Sequence, residues 1–156
     1  MNKNKGFTVI ETIVSFCLIS VVSIMVLQII LSVRDLYIIG DVKTTMLVKQ
    51  GIMVQKIQDD ATKKGINRID ECDVQDNNCK KIIFNDGSST TLEKTDEYIY
   101  YNNYKYNLLN GSTASDITIE SHESSDGKLF KISIPITHKL LEDDIGIYVV
   151  AQQLNV

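Results

Sequence analysis

From Phe7 to Val33 the chain runs through 27 residues whose only charge is Glu11, with apolar side chains on every face that a helix would present. As an α-helix this run reaches about 40 Å, more than the ~30 Å hydrocarbon core of a bilayer. After Val33 the pattern turns one-sided. Leu36, Ile39, Met46, Leu47, Met53, Val54, Ile57 and Ala61 gather on one side, with Asp35, Asp41, Lys43, Lys49, Lys56 and Asp59 mostly on the other. Lys63 and Lys64 stand where a helix C-terminus favours cations, and Gly65 follows as a left-handed cap. The spacing predicts one helix from about Phe7 to Lys64, about 87 Å long. Gly40 and Gly51 cost about 1 kcal/mol each relative to alanine and permit bends there.

Beyond Gly65 the period falls to two and turn residues recur. Ile82-Ile83-Phe84 faces Thr90-Thr91-Leu92 across Asn85-Asp86-Gly87, the pattern of a hairpin. Tyr98 to Tyr101 and Tyr104 to Leu109 flank Asn102-Asn103 as a second one. Ile117 and Ile119 lead into Ser124-Ser125-Asp126-Gly127, after which Phe130, Ile132, Ile134 and Ile136 alternate with Lys131, Ser133, Pro135 and Thr137. Pro135 cannot donate to a ladder, so its strand is an edge or carries a bulge. Ile145, Ile147 and Val149 predict a last strand. The expected class is α+β, a long N-terminal helix packed against a small antiparallel β-sheet domain. The segments expected are 1–6 as a leader, 7–33 as a membrane or filament-core helix, 34–64 as its amphipathic continuation, and 65–156 as a β-rich domain.

Lys3 and Lys5 precede the apolar run, and Arg34 is balanced at once by Asp35, so the positive-inside bias keeps the N-terminus in the cytoplasm. The C-terminal part then faces outward. A cleaved secretory signal would show a shorter apolar core followed by a small-x-small site, and no such site follows here. Glu11 needs an explanation, because a carboxylate inside an apolar helix costs on the order of 3 kcal/mol on insertion scales. Lys5 is the only cation near it in sequence. A partner from another chain is one way to supply the missing charge.

The stretch Lys5-Gly6-Phe7-Thr8-Val9-Ile10-Glu11, after a short basic leader and before a long apolar run, resembles the processing site of type IV prepilins and pseudopilins. The resemblance covers residues 1–35 and does not extend by motif into the rest. It implies cleavage by prepilin peptidase between Gly6 and Phe7, N-methylation of Phe7, and a role for Glu11 in neutralising the terminal ammonium of a neighbouring subunit during assembly. Many major pilins carry a proline or glycine inside the apolar segment where this chain has Ser20 and Gln28, which favours a minor pilin or pseudopilin. The retained Glu11 argues against the tip subunits that lack it. The partners implied are prepilin peptidase, other pilin subunits and the assembly platform in the cytoplasmic membrane. The implied location is a single-pass precursor and then a filament at the cell surface, serving adhesion, motility, secretion or competence.

The cysteines fall into two settings. Cys17 lies in the apolar run as a small hydrophobe. Cys72 and Cys79 bracket a polar loop, and such a pair outside the membrane either closes a disulfide or remains as two thiols. Two cysteines without a neighbouring histidine make no four-ligand metal site. The net charge of −4 becomes −6 once Lys3 and Lys5 are removed, and the remaining cations are scattered, so no direct nucleic-acid binding is expected. His122 and His138 lack metal-ligand spacing and read as strand-surface residues. Glu142-Asp143-Asp144 lacks the alternation and turn glycine of a calcium loop and reads as a solvated turn. Five of the seven tyrosines, Tyr98, Tyr100, Tyr101, Tyr104 and Tyr106, fall within nine residues, as a stacking platform or, more simply, as cross-strand packing. No catalytic residues and no cofactor are expected. Alternatives to the filament subunit are a competence-type pseudopilin or adhesin that binds DNA or a surface ligand, and an uncleaved, signal-anchored envelope protein.

Overall fold

The computed structural model describes residues 8–72, 78–124 and 127–153. Among the described residues one helix, α1 (Val9–Lys64), is followed by ten strands, an α+β class in which the long helix packs against antiparallel sheets. The chain divides into two compact units between Asp41 and Val42.

In the first unit α1 carries only exposed side chains, and its most apolar 18-residue window has a mean hydropathy of 2.7. That stretch is long and apolar enough to cross a membrane. Three of its serine hydroxyls bond back to the helix itself: Ser20 Oγ donates to Cys17 O at 2.8 Å, Ser23 Oγ to Ile19 O at 2.7 Å and Ser32 Oγ to Gln28 O at 3.0 Å. Such back-bonding lets polar side chains sit in an apolar surface without an unpaired donor. The helix runs unbroken through Gly40 and Gly51, whose positions have open space around them.

In the second unit Met46, Met53, Ile57 and Ala61, spaced by seven, four and four residues, form the buried stripe of α1. Burial begins with Val42 and Met46, whereas Leu36 and Ile39, which continue the same periodicity toward the N-terminus, are exposed. Gly65 ends the helix with a φ of +64°, its N–H donating to Ala61 O at 2.9 Å. A Cβ there would meet the Asn85 amide at 2.5 Å, and the Gly65 carbonyl accepts the Asn85 N–H at 3.1 Å. The helix end is thus held against the first hairpin turn.

Strands β1 (Ile66–Glu71), β2 (Cys79–Phe84), β3 (Ser89–Lys94), β4 (Tyr98–Tyr101) and β5 (Tyr104–Asn107) form a five-stranded antiparallel meander. The β4–β5 turn is Asn102-Asn103, both with positive φ, the two-residue geometry that matches strand twist. The other strands do not extend that meander. β7 (Thr118–Ser124), β8 (Gly127–Ile134) and β10 (Ile147–Gln152) form a separate sheet in the order β10-β8-β7, while β6 (Ser112–Ala114) pairs with β9 (Ile136–His138). Pro135 divides β8 from β9, and across it the pairing with the preceding chain slips by one residue. The strand expected to run through Pro135 as an edge or with a bulge is instead broken there, into β8, which is central in its sheet, and β9, which pairs with β6.

His138 departs from the expected surface position. It is 5% exposed, its Nδ1 accepts the Leu140 N–H at 3.1 Å, and its Nε2 faces Asn110 O at 3.2 Å. The tautomer with the proton on Nε2 satisfies both contacts and makes the ring a bridge between two loops. The surface reading rested on the lack of metal-ligand spacing and passed over the alternation, which continues from Phe130, Ile132, Ile134 and Ile136 to place His138 on the same inward face. The tyrosines divide by strand parity: Tyr101 and Tyr106 are fully buried, and Tyr98 and Tyr100 belong to the opposite face. Burial pushes the Tyr106 phenol from its ordinary 10.0 up to about 12. Tyr101 is raised further, by burial and by the Asp60 carboxylate that accepts its O–H at 3.0 Å.

The unfolded chain ionises its tyrosines near pH 10, whereas folded Tyr106 keeps its proton to about 12. A raised folded value means that the associated stability is complete below pH 10 and is lost as pH climbs toward 12. The melting temperature should therefore fall across that window, and Tyr106→Phe should flatten part of the fall. An unchanged slope in the variant would contradict this account.

Candidate functional site

Gly6 and Phe7, the expected processing residues, lie outside the described residues. The first described element of that region is the start of α1, where Thr8 and Glu11 form a reciprocal cap. Thr8 N–H donates to Glu11 Oε2 at 2.8 Å, Thr8 Oγ1 donates to the same oxygen at 2.9 Å, and the Glu11 N–H reaches back to Thr8 Oγ1 at 3.3 Å. Thr8 O accepts the first intrahelical bond, from Thr12 N at 3.2 Å. This is a capping box, with threonine at the cap and glutamate three residues on.

The capping box changes the account of Glu11. Its carboxylate stands in the first turn, where the positive end of the helix dipole favours an anion, and one of its oxygens holds two donors from its own chain. A cation is not needed to give the group its first partners. Oε1 accepts no hydrogen bond among the described residues and is open to an additional donor. The signal was present in the sequence as Thr-x-x-Glu ahead of an apolar run, and the focus on missing cations passed over Thr8.

From this cap to Asp41 every side chain of α1 is exposed. Val9, Ile10, Phe16, Leu18, Ile29 and Leu36 are all exposed, and so is Cys17, a free thiol. Contiguous exposed apolar surface of this kind marks a membrane or protein interaction site, so this stretch is the candidate functional surface of the first unit.

Compared with family models, curated proteins and solved structures, the chain matches none of them. The functional reading therefore rests on residues and geometry alone.

In the second unit Cys72 and Cys79 are joined in a disulfide with a Cα–Cα distance of 5.6 Å. It ties the end of β1 to the start of β2, beside the Glu71–Lys80 ion pair at 2.9 Å. In the chain-entropy account, closing a loop this short removes about 2.5 kcal/mol of unfolded-state freedom. The helix is bound to the meander by polar contacts as well as by its buried stripe. Asp60 Oδ2 accepts the Tyr101 O–H and, at 3.2 Å, the Asn102 amide. Lys49 Nζ donates to Asn107 O at 3.2 Å, and the Lys64 ammonium lies 4.9 Å from the Phe84 ring centroid. Asp60 had no pattern to single it out in the sequence, because its partners lie about 40 residues away in β4 and the turn after it.

Among the described residues no group of three or more histidine, cysteine or acidic side chains is placed to hold a metal ion. Glu142, Asp143 and Asp144 are exposed in a loop, and His122 is exposed on β7. None of these residues converges with another on a common centre.

Removing the Thr8 hydroxyl takes away a cap contact on each side of the box. Thr8→Val in the full chain should lower amide protection in the first turn of α1, with a loss of about 1 kcal/mol, read by hydrogen exchange in detergent micelles. Protection equal to that of the parent chain would show that the box contributes nothing.

Proposed function

We propose that this chain is a structural subunit, of the minor pilin or pseudopilin kind, of a type IV pilus-like filament. In this reading prepilin peptidase cuts between Gly6 and Phe7 and methylates the new terminus. The apolar half of α1 first holds the precursor in the cytoplasmic membrane and then packs against its neighbours at the filament core. The carrying observation is the all-round apolar, exposed surface of α1, charged only at Glu11 before Arg34, continuing into a helix that supports a compact sheet domain. Membrane and filament core are both apolar surroundings, so one surface serves both stages. The open Oε1 of Glu11 leaves room for a terminal ammonium from another subunit.

A second reading, a signal-anchored envelope protein that is never cut, draws support from the capping box, which gives Glu11 partners without any neighbour.

The two readings diverge at the N-terminus. On the filament reading, intact mass and N-terminal peptide spectra show a chain beginning with N-methylated Phe7 only in cells with active prepilin peptidase. A chain beginning at Met1 in both kinds of cell overturns it. Glu11→Gln should abolish assembly while membrane insertion persists, as read by cell fractionation and filament shearing; undiminished assembly would count against the proposed role of the carboxylate.

A further inference from the structure

The five-stranded meander and the three-stranded sheet each expose an edge to the same groove. One wall is β1, paired on its other side with β2, and the opposite wall is β7, paired on its other side with β8. The two share no ladder, yet they line a single cavity of about 340 Å³. Ile69, Ile117, Ile119 and Phe130 give it an apolar lining.

The hydrogen-bond parity of each ladder shows which backbone groups face the groove. In an antiparallel strand, successive residues direct their N–H and C=O groups to opposite sides. Gln153 N–H donates to Lys128 O at 2.7 Å, so the even-numbered residues of β8 bond to β10 and its odd-numbered ones to β7. Thr118, Glu120 and His122 are their partners, which leaves the amides and carbonyls of Ile119 and Ser121 directed at the groove. On the other wall Phe84 N–H donates to Ser88 O at 2.9 Å and Lys94 N–H to Asn78 O at 2.7 Å, so the even-numbered residues of β2 face β3. Its odd-numbered residues bond to Arg68 and Asp70, which leaves Ile69 and Glu71 presenting their backbone groups to the same groove.

We propose that this groove receives an extended segment of another protein as an added strand between β1 and β7. Two edge rows of donors and acceptors lining one groove are matched by a polypeptide backbone, which offers the same alternation on both of its edges. The lining sets the side chains: apolar ones at every second position, against Ile119 and Phe130. The charges set one more. Arg68 is paired with Asp70 at 3.0 Å and Lys80 with Glu71 at 2.9 Å, whereas Lys128 has no carboxylate in ion-pair distance among the described residues and lies over the Phe130 ring. An acidic residue in the incoming segment, passing Lys128, completes the complementarity. The groove is separate from the α1 surface, and the proposal stands whether or not the chain enters a filament.

The test uses the full chain in detergent micelles and a display library of nine-residue peptides, with binding of enriched peptides read by fluorescence anisotropy. Enriched peptides should alternate apolar and polar residues around an acid, and Lys128→Glu should reverse that preference toward a base. Ser121→Pro removes one groove-facing N–H while leaving the β7–β8 bonds in place, and it should weaken binding by about tenfold or more. Ser121→Val, which adds similar bulk and keeps the N–H, should bind within about threefold of the parent. N-methylation of alternate peptide amides tests the same bonds from the other side, and decides the matter if Ser121→Pro does not fold. Failure to enrich any peptide, or equal binding by Ser121→Pro and by N-methylated peptides, overturns the proposal. Self-association of the chain that Ser121→Pro abolishes, read by sedimentation, also overturns it by assigning the groove to a second copy.

Discussion

The apolar half of α1 is long and apolar enough to cross a membrane, and in such surroundings every backbone N–H and C=O must find its partner inside the helix. The rest of the architecture follows from that condition. A helix is the one local structure that closes all such bonds within a single segment, and it leaves open only its first and last turns. At the N-terminal end the chain answers with Thr8 and Glu11, each satisfying the other. Serine hydroxyls along the run turn back to carbonyls of the preceding turn. Ser20, Ser23 and Ser32 therefore add little cost in apolar surroundings.

The same helix must then serve a different neighbour. From Val42 onward its apolar positions narrow to a stripe, and Met46, Met53, Ile57 and Ala61 enter a core shared with ten strands. Burial against the sheets is supplemented by directional contacts that fix rotation about the helix axis. Asp60 holds Tyr101 and Asn102, and Lys56 and Lys64 sit over the rings of Tyr104 and Phe84. An apolar stripe by itself tolerates rotation and sliding more readily than a charge-assisted hydrogen bond to a buried phenol does.

The sheets resolve a second constraint. A single large meander behind one helix would have buried only part of its inner face, and the chain instead splits the strands into three sheets around one core. Pro135 is where that division is made along the second half of the domain, since it withholds a ladder donor and lets the pairing slip by a residue. The division leaves two unpaired edges, β1 and β7, lining one groove. Edges of this kind are sites of strand addition.

Local chemistry determined a great deal by itself. The apolar run, the amphipathic continuation, the Gly65 cap and the hairpins at Asn85-Asp86-Gly87 and Asn102-Asn103 all follow from period and turn residues, and α1, β2 to β5, β7, β8 and β10 stand close to where those signals put them. The Thr8–Glu11 cap was equally local and could have been read from its spacing. Tertiary structure decided what depends on pairs distant in the chain. Leu36 and Ile39 carry the same periodic signal as Met46, yet only Met46 meets the sheets. His138 found partners for both ring nitrogens only where the Asn110 carbonyl and the Leu140 amide meet it, and Asp60 became an anchor because Tyr101 and the turn after it, about 40 residues away, reach it. Periodicity reports which face of an element is apolar; which of those faces finds a partner is settled only when the elements are assembled.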